Sequence, residues 1–450
     1  MSAATRDAGS CELLAPSTAD LSADAADLPS RHTKATVREG LKHLHPALFS
    51  PVEAMPSDGY IDTFLANQNP ANDKACAKRS YLLIENDLYR AGLGMVGRLL
   101  VSVFLLALRQ GRILLEIPLS NRTDAPWCDR PPFTFGCVFR PWTRCQLSAA
   151  EVRSAHHISS DRIWPIGKWS SRRRIVVVST SWVWKSQGLW MGSRGRHIHI
   201  VAQRVVMAHI LFRPRAWVRR IGTCLLHQMP MTTGMTSPFV GVFVRQSPEK
   251  DAELIRVALR RTPPAAVYQQ LIRAVTSRFH LSKAPIFLST SNPSAVESFV
   301  AFAANASRQL VMTHNERDEH DSWGGHARAA KRTQQALVAA VNLYVASKAA
   351  VFLSLSDSSW TQLQLALMAA DGGDASAIDA ISWAEVTCGQ AGQYLAVRVA
   401  VRRRAERDER AVLAAVASDL GCTIAASKHE PCSATLTTDC VSVHWVSANR

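Results

Sequence analysis

The tightest constraint on this chain lies in Phe239-Val-Gly-Val-Phe-Val-Arg245, where an unbroken apolar run ends on one arginine. The sequence then turns charged and helix-compatible, Gln246-Ser-Pro-Glu-Lys250-Asp-Ala-Glu253. Continuous Val and Phe mark a strand buried on both faces, as in a parallel sheet, and ligands of open α/β sheets gather just beyond the carboxyl ends of such strands. Arg245 stands at that end, where a phosphate would sit.

Later segments repeat the same grammar. Pro285 to Thr290 is a short apolar run followed by the helix-starting Ser291-Asn292-Pro293-Ser294. Gln309 to Thr313 is the next candidate strand, and Ala350 to Ser354 follows an Ala-rich stretch and precedes Ser358-Ser359 and a helix-like segment to Ala370. Strands alternating with helices of this length predict a parallel, doubly wound sheet. Arg245, Thr290 or Ser291, His314 and Asp357-Ser358-Ser359 are then expected to converge on one edge.

In the amino-terminal half, Tyr81 to Glu85 reads as a strand and leads to Gly92, Gly94 and Gly97, spaced G-x-G-x-x-G. In dinucleotide folds that spacing brings helix-terminal N–H groups against a diphosphate, with an acidic residue about 20 positions on, here Glu116. Close packing of a helix is the alternative use of the same glycines. The apolar run Leu99 to Leu108 is too short to span a bilayer, which needs about 20 residues, so a buried core helix is expected.

With 450 residues and 47% hydrophobic content the chain can bury a full core. Residues 1–75 are expected to be poorly ordered and to add nothing to catalysis, since the Ala/Ser/Asp/Thr-rich start lacks apolar periodicity. An α/β domain over 76–230, a nucleotide-sugar-binding domain over 231–400 and a tail over 401–450 follow. The net charge of +16 would suit nucleic acid or an anionic membrane. Yet Arg172-Arg173-Arg174, Arg213-Pro-Arg215, Arg219-Arg220 and Arg402-Arg403-Arg404 form separate groups, so solvated surface charge and no nucleic-acid partner are expected. Ten cysteines include no CxxC pair, which argues against zinc, while Cys128, Cys137 and Cys145 suit one bridge among themselves. His314, His320 and His326 are spaced for a polar loop rather than a helical metal site. Neither a signal peptide nor a spanning segment is visible, and no Gly-x-Ser-x-Gly elbow supports hydrolysis.

In order along the chain, the Gly92–Gly97 loop, the loop from Trp127-Cys128 to Cys145, Gly241 to Arg245, Ile286 to Thr290 and Asn342 to Ser359 resemble the α1,6-fucosyltransferase family, over residues of about 76 to 370. The resemblance implies a GT-B-like α/β fold, two Rossmann-like doubly wound domains facing a cleft. It also implies an inverting transfer of fucose from GDP-fucose to a glycan acceptor, without metal or cofactor, in the Golgi or secretory pathway. Family members usually carry an amino-terminal membrane anchor, which is not visible in this chain.

The family's strand ends in His-x-Arg-Arg, followed by Lys and Glu. Its first Arg falls on Arg245, while Phe243 occupies the His position and Gln246 the second Arg; Lys250 and Glu253 match with one residue inserted. Asn342 stands for the family's acid, Ser358 and Ser359 for its phosphate-binding turn, and Gly92 and Gly94 for its glycine loop. Arg245 would then stabilise the departing diphosphate. Lys250 and Glu253 would share a helical face, with Glu253 accepting the acceptor's proton or forming an ordinary ion pair. The departures at Phe243 and Gln246 keep a second reading in view, an inactive nucleotide- or glycan-binding relative. A basic nucleic-acid-binding protein is the third and rests on charge alone.

Overall fold

The computed structural model describes Cys11 and residues 65–68, 70, 72–85, 93–117, 134–158, 173–179, 206–232, 235–236, 238–246, 251–252, 254–256, 260–313, 329–356, 358–370, 381–388, 394–402, 409–420 and 422–425. Two parallel-rich sheets organise them. The first comprises β1 (Tyr81–Glu85), β2 (Ile113–Ile117), β3 (His156–His157) and β4 (Ile175–Ser179), all parallel in the order β2-β1-β4-β3. Its helices are α1 (Asp73–Ala77), α2 (Leu93–Gln110) and α3 (Ala149–Arg153). α2 is buried on nearly every side, which explains its unbroken apolar sequence: one side covers Leu82 and Ile84, and the other meets the second unit.

A π-helical turn at Met207–Leu211 and helix α4 (Ala216–His227) lead to the small β5 (Met231–Thr232) and β6 (Met235–Thr236) hairpin. The second sheet begins with β7 (Val240–Val244), then α5 (Ala265–Arg278), β8 (Ile286–Thr290), α6 (Pro293–Asn305), β9 (Leu310–Met312), α7 (Ala329–Ala346), β10 (Val351–Leu355) and α8 (Ser359–Ala370). It is completed by β11 (Ile381–Thr387), β12 (Val397–Arg402), α9 (Glu409–Asp419) and β13 (Thr423–Ala425), in the order β13-β11-β12-β10-β7-β8-β9.

Strands β7 to β10 are parallel, and the chain steps outward from β7 through β8 to β9 before returning to the far side of β7 as β10. The reversal makes the gap between β7 and β10 a topological switch point, where α/β sheets bind ligands. All four strands of the sequence reading are present. The sheet then departs from pure parallel winding: β12, β11 and β13 join antiparallel, and residues beyond 401 contribute to it as far as Ala425.

Strand alternation sorts the core. Val240, Val242 and Val244 face α5 and α6 through Tyr268, Leu271 and Phe299, whereas Phe243, Phe287 and Phe352 face the layer of α7 and α8. That layer is continuous with α2 and the π-helical turn, so one core joins the two sheets. Among the described residues no helix is long and apolar enough to cross a membrane.

Cys145 pairs with Cys76. Cys137 is disulfide-bonded as well, and Cys128, the remaining member of the cluster expected to hold one bridge, lies outside the described residues. Cys11, inside the stretch expected to be poorly ordered, is bonded to Cys224 of α4. Cys388–Cys422 closes the end of β11 onto the start of β13 across 34 residues. Replacing both of these last cysteines by Ala should lower unfolding stability by about 4 kcal/mol, from the loop-closure entropy returned to the unfolded chain, read as a lower urea midpoint with unchanged far-UV circular dichroism.

Candidate functional site

At the switch point the strands end on Val244, Thr290 and Leu355. The register pairs Phe243 with Ser354 and Val244 with Thr290, so Arg245 emerges level with Ser356 on one side and Ser291 on the other. It is half-buried, one residue past the strand. Across the gap, the turn into α8 is pinned by Ser358 N–H donating to Leu355 O (3.2 Å) and Thr361 Oγ1 donating to the same carbonyl (2.7 Å). Ser358 is 6% exposed, and its hydroxyl has no hydrogen-bond partner among the described residues. A serine before a helix ordinarily caps it, so an uncommitted hydroxyl here sits beside the first-turn N–H groups of α8, an arrangement suited to an anion.

The first unit supplies the opposite wall. A Cβ on Gly94 would lie 2.3 Å from Trp360 N and 2.4 Å from Ser359 C, so only glycine lets the start of α2 touch the backbone at the start of α8. One turn on, Arg98 Nη1 donates to Ser359 Oγ at 3.2 Å. Burial lowers the Arg98 pKa to about 10, which leaves the guanidinium charged at neutral pH. Each helix N-terminus carries about half a positive charge. Two of them therefore meet beside Arg98, on the edge that also carries Arg245.

The two described glycines of the G-x-G-x-x-G pattern thus serve packing, Gly94 against α8 and Gly97 against the Phe212 ring. Glu116, the acid of the dinucleotide reading, instead accepts from Phe135 N–H (2.9 Å) and seats the turn at Phe135–Cys137. Its pKa is raised to about 8 by desolvation, against the lowering effect of that hydrogen bond.

The positions that depart from the fucosyltransferase motif are structurally engaged. Phe243 stacks on Trp360, with ring centroids 5.3 Å apart. Gln246 Nε2 donates to Pro263 O (2.9 Å), and its carbonyl accepts from Asn292 Nδ2 (3.3 Å). Asn292 also caps α6 by accepting from Ala295 N–H. Asn342 is buried in α7, where its Oδ1 accepts from Thr313 Oγ1 (3.2 Å). Gly92, Lys250, Glu253, His314, His320, His326 and Asp357 lie outside the described residues. Between Lys250 and Glu253, Asp251 Oδ1 accepts from Thr262 N–H (2.9 Å) and Thr262 Oγ1 (2.6 Å).

Arg98, Trp360 and Asp251 were not singled out from sequence as site residues. Arg98 had a readable signal, four residues after Gly94 and on the same helix face. Trp360 and Asp251 had none, since their partners are distant in the chain.

No family model matches this chain, and no curated protein matches it. Among solved structures it is similar to a mutant of Arabidopsis thaliana FUT1 in complex with GDP, with 12% identity and a TM-score of 0.36 over 76% of this chain and 78% of that one. So low a TM-score carries no argument about the site, whose assignments rest on the residues above.

Gly94→Ala should cost roughly 1–3 kcal/mol or more, because the intruding methyl meets backbone that cannot rotate away. Gly97→Ala should cost less, since the Phe212 ring can shift; paired denaturation curves measure the difference. For Glu116, the native state holds a proton between about pH 4.5 and pH 8 that the unfolded chain has released. Its contribution to stability is therefore fullest below pH 4.5 and disappears as pH rises through 8. Glu116→Gln should flatten that slope in urea midpoints measured at pH 5 and pH 8.

Proposed function

We propose that the carboxyl edge of the second sheet binds a nucleoside diphosphate, and that the chain transfers fucose from GDP-fucose to a glycan hydroxyl, as the motif resemblance implies. The observation that carries the reading is the buried, uncommitted Ser358 hydroxyl at the head of α8, across the switch point from Arg245. An anion there would meet Ser358, Ser359, the first N–H groups of α8 and a guanidinium. Asn342, tied to Thr313, serves in this reading as support behind the site rather than as a nucleotide contact.

In the reaction an acceptor hydroxyl oxygen attacks the anomeric carbon of fucose. The bond from that carbon to the β-phosphate oxygen breaks, and GDP leaves with the electron pair. Attack from the face opposite the leaving group inverts the configuration. Arg245 is permanently charged and able to bond two phosphate oxygens, so it stabilises the negative charge that grows on the leaving group and supplies the role a metal ion has elsewhere. Glu253 takes the acceptor's proton, and Lys250 pairs with Glu253. The Asp251–Thr262 hydrogen bonds would fix the segment that carries both. Among the described residues Cys11, Cys76, Cys137, Cys145, Cys224, Cys388 and Cys422 are disulfide-bonded, which fits the oxidising lumen of the secretory pathway.

A second reading, nucleotide binding without transfer, is favoured by one observation: Phe243 and Gln246, where the family has His and Arg, are engaged with Trp360 and Pro263. Calorimetry with GDP, ADP and UDP beside a radiolabelled fucose-transfer assay separates the two. GDP should bind best, Arg245→Ala should weaken it roughly 10- to 100-fold, the loss expected for hydrogen bonds to charged groups, and Ser358→Ala by a smaller factor. Turnover should fall with Arg245→Ala and survive EDTA. GDP binding without turnover selects the second reading, and unchanged GDP affinity in Arg245→Ala rejects both.

A further inference from the structure

Two Asn-x-Ser triplets bracket α6, Asn292-Pro293-Ser294 at its start and Asn305-Ala306-Ser307 at its end. The fold uses them differently. Asn292 is 8% exposed, its amide is committed to the α6 cap and to Gln246 O (3.3 Å), and the proline in the middle position bars that triplet from N-glycosylation. Asn305 is exposed, and its side-chain amide makes no hydrogen bond among the described residues. The turn that follows is closed by Arg308 N–H donating to Ala303 O (2.9 Å) and Ser307 N–H donating to Ala304 O (3.1 Å). Ser307 is exposed and left-handed, at φ 50°, the helix-ending position that glycine ordinarily takes. A hydroxyl is therefore present where the backbone alone would favour no side chain.

We propose that Asn305 carries an N-linked glycan, attached in the secretory pathway, with Ser307 completing the acceptor triplet. The inference rests on the oxidising compartment that the disulfides favour and is independent of the nucleotide reading. In the transfer, the Asn305 amide nitrogen attacks the anomeric carbon of an oligosaccharide carried on a lipid diphosphate. The carbon–nitrogen bond forms, the bond from that carbon to the diphosphate oxygen breaks, the lipid diphosphate leaves with the electron pair, and the amide gives up a proton.

The surroundings suit a glycan. α6 starts at the carboxyl edge of the sheet, where Asn292 touches the end of β7, and its 13 residues run roughly 20 Å toward the amino edge. A sugar on Asn305 thus leaves the switch point open. Helical side chains lean toward the amino end, so the first sugars lie over Ala301 and beside Val300, both exposed. Val300, at 46%, is the most exposed large apolar side chain among the described residues, and the glycan covers it.

The full chain is purified from the cells that make it, digested with trypsin and treated with peptide N-glycosidase in heavy-oxygen water, which converts a glycosylated asparagine to labelled aspartate. In tryptic peptide 284–308 the label should appear at Asn305 and not at Asn292, so the two triplets are read in one spectrum. Ser307→Gly removes the hydroxyl while suiting the left-handed backbone, and it should abolish the label in a chain that still folds. Ser307→Thr keeps the hydroxyl and should retain the label. Unlabelled Asn305 in the natural chain overturns the proposal, as does a label that persists in Ser307→Gly, which reports deamidation. Alkylating the same sample without reduction separates two causes of failure. Unlabelled Asn305 with Cys76 and Cys145 protected rejects the site alone, whereas alkylation of those two thiols removes the compartment and the glycan together.

Discussion

The contact between the first turns of α2 and α8 is the constraint on which the rest of the molecule depends. Gly94 removes the one side chain that would hold these helices apart, and the backbones of Ser359 and Trp360 fill the space. Everything nearby takes its position from that approach. Arg98 comes within reach of Ser359, Trp360 settles against Phe243, and the helical layer between the sheets closes into one core. Two like helix ends would repel in isolation; burial of α2 among Leu82, Ile84 and the residues of α8 holds them together.

The residues that depart from the fucosyltransferase pattern gain a physical meaning from this arrangement. Phe243 extends the apolar wall that the α2–α8 contact requires, whereas a histidine there would bring a polar ring into the same layer. Gln246 ties the end of β7 to Pro263 and, through its carbonyl, to the cap of α6. Phe243 and Gln246 therefore serve as scaffold contacts, and Arg245 stands one residue past the strand end.

Much of the second sheet was legible because its signals are local. Each parallel strand is a short apolar run, and α6 and α8 announce themselves with Asn292-Pro293 and Ser358-Ser359 at their starts. The antiparallel β11, β12 and β13 were not readable, because which edge a strand joins depends on pairing across the sheet. The glycine spacing at Gly94 and Gly97 left both uses open for a related reason: a residue without a side chain signals close approach, and sequence does not say whether a phosphate or a helix approaches. Separation along the chain likewise hid the pairing of Cys145 with Cys76.

The Cys11–Cys224 bond imposes an order on biogenesis. Its two sulfurs are 213 residues apart, so at about 5 to 20 residues per second the earlier thiol emerges roughly 10 to 40 s before its partner has been synthesised. During that interval Cys76, Cys128, Cys137 and Cys145 appear and compete for it. Native oxidation thus needs either delayed pairing or an isomerase that undoes early mistakes, and secretory yield becomes sensitive to the redox poise met by the nascent chain.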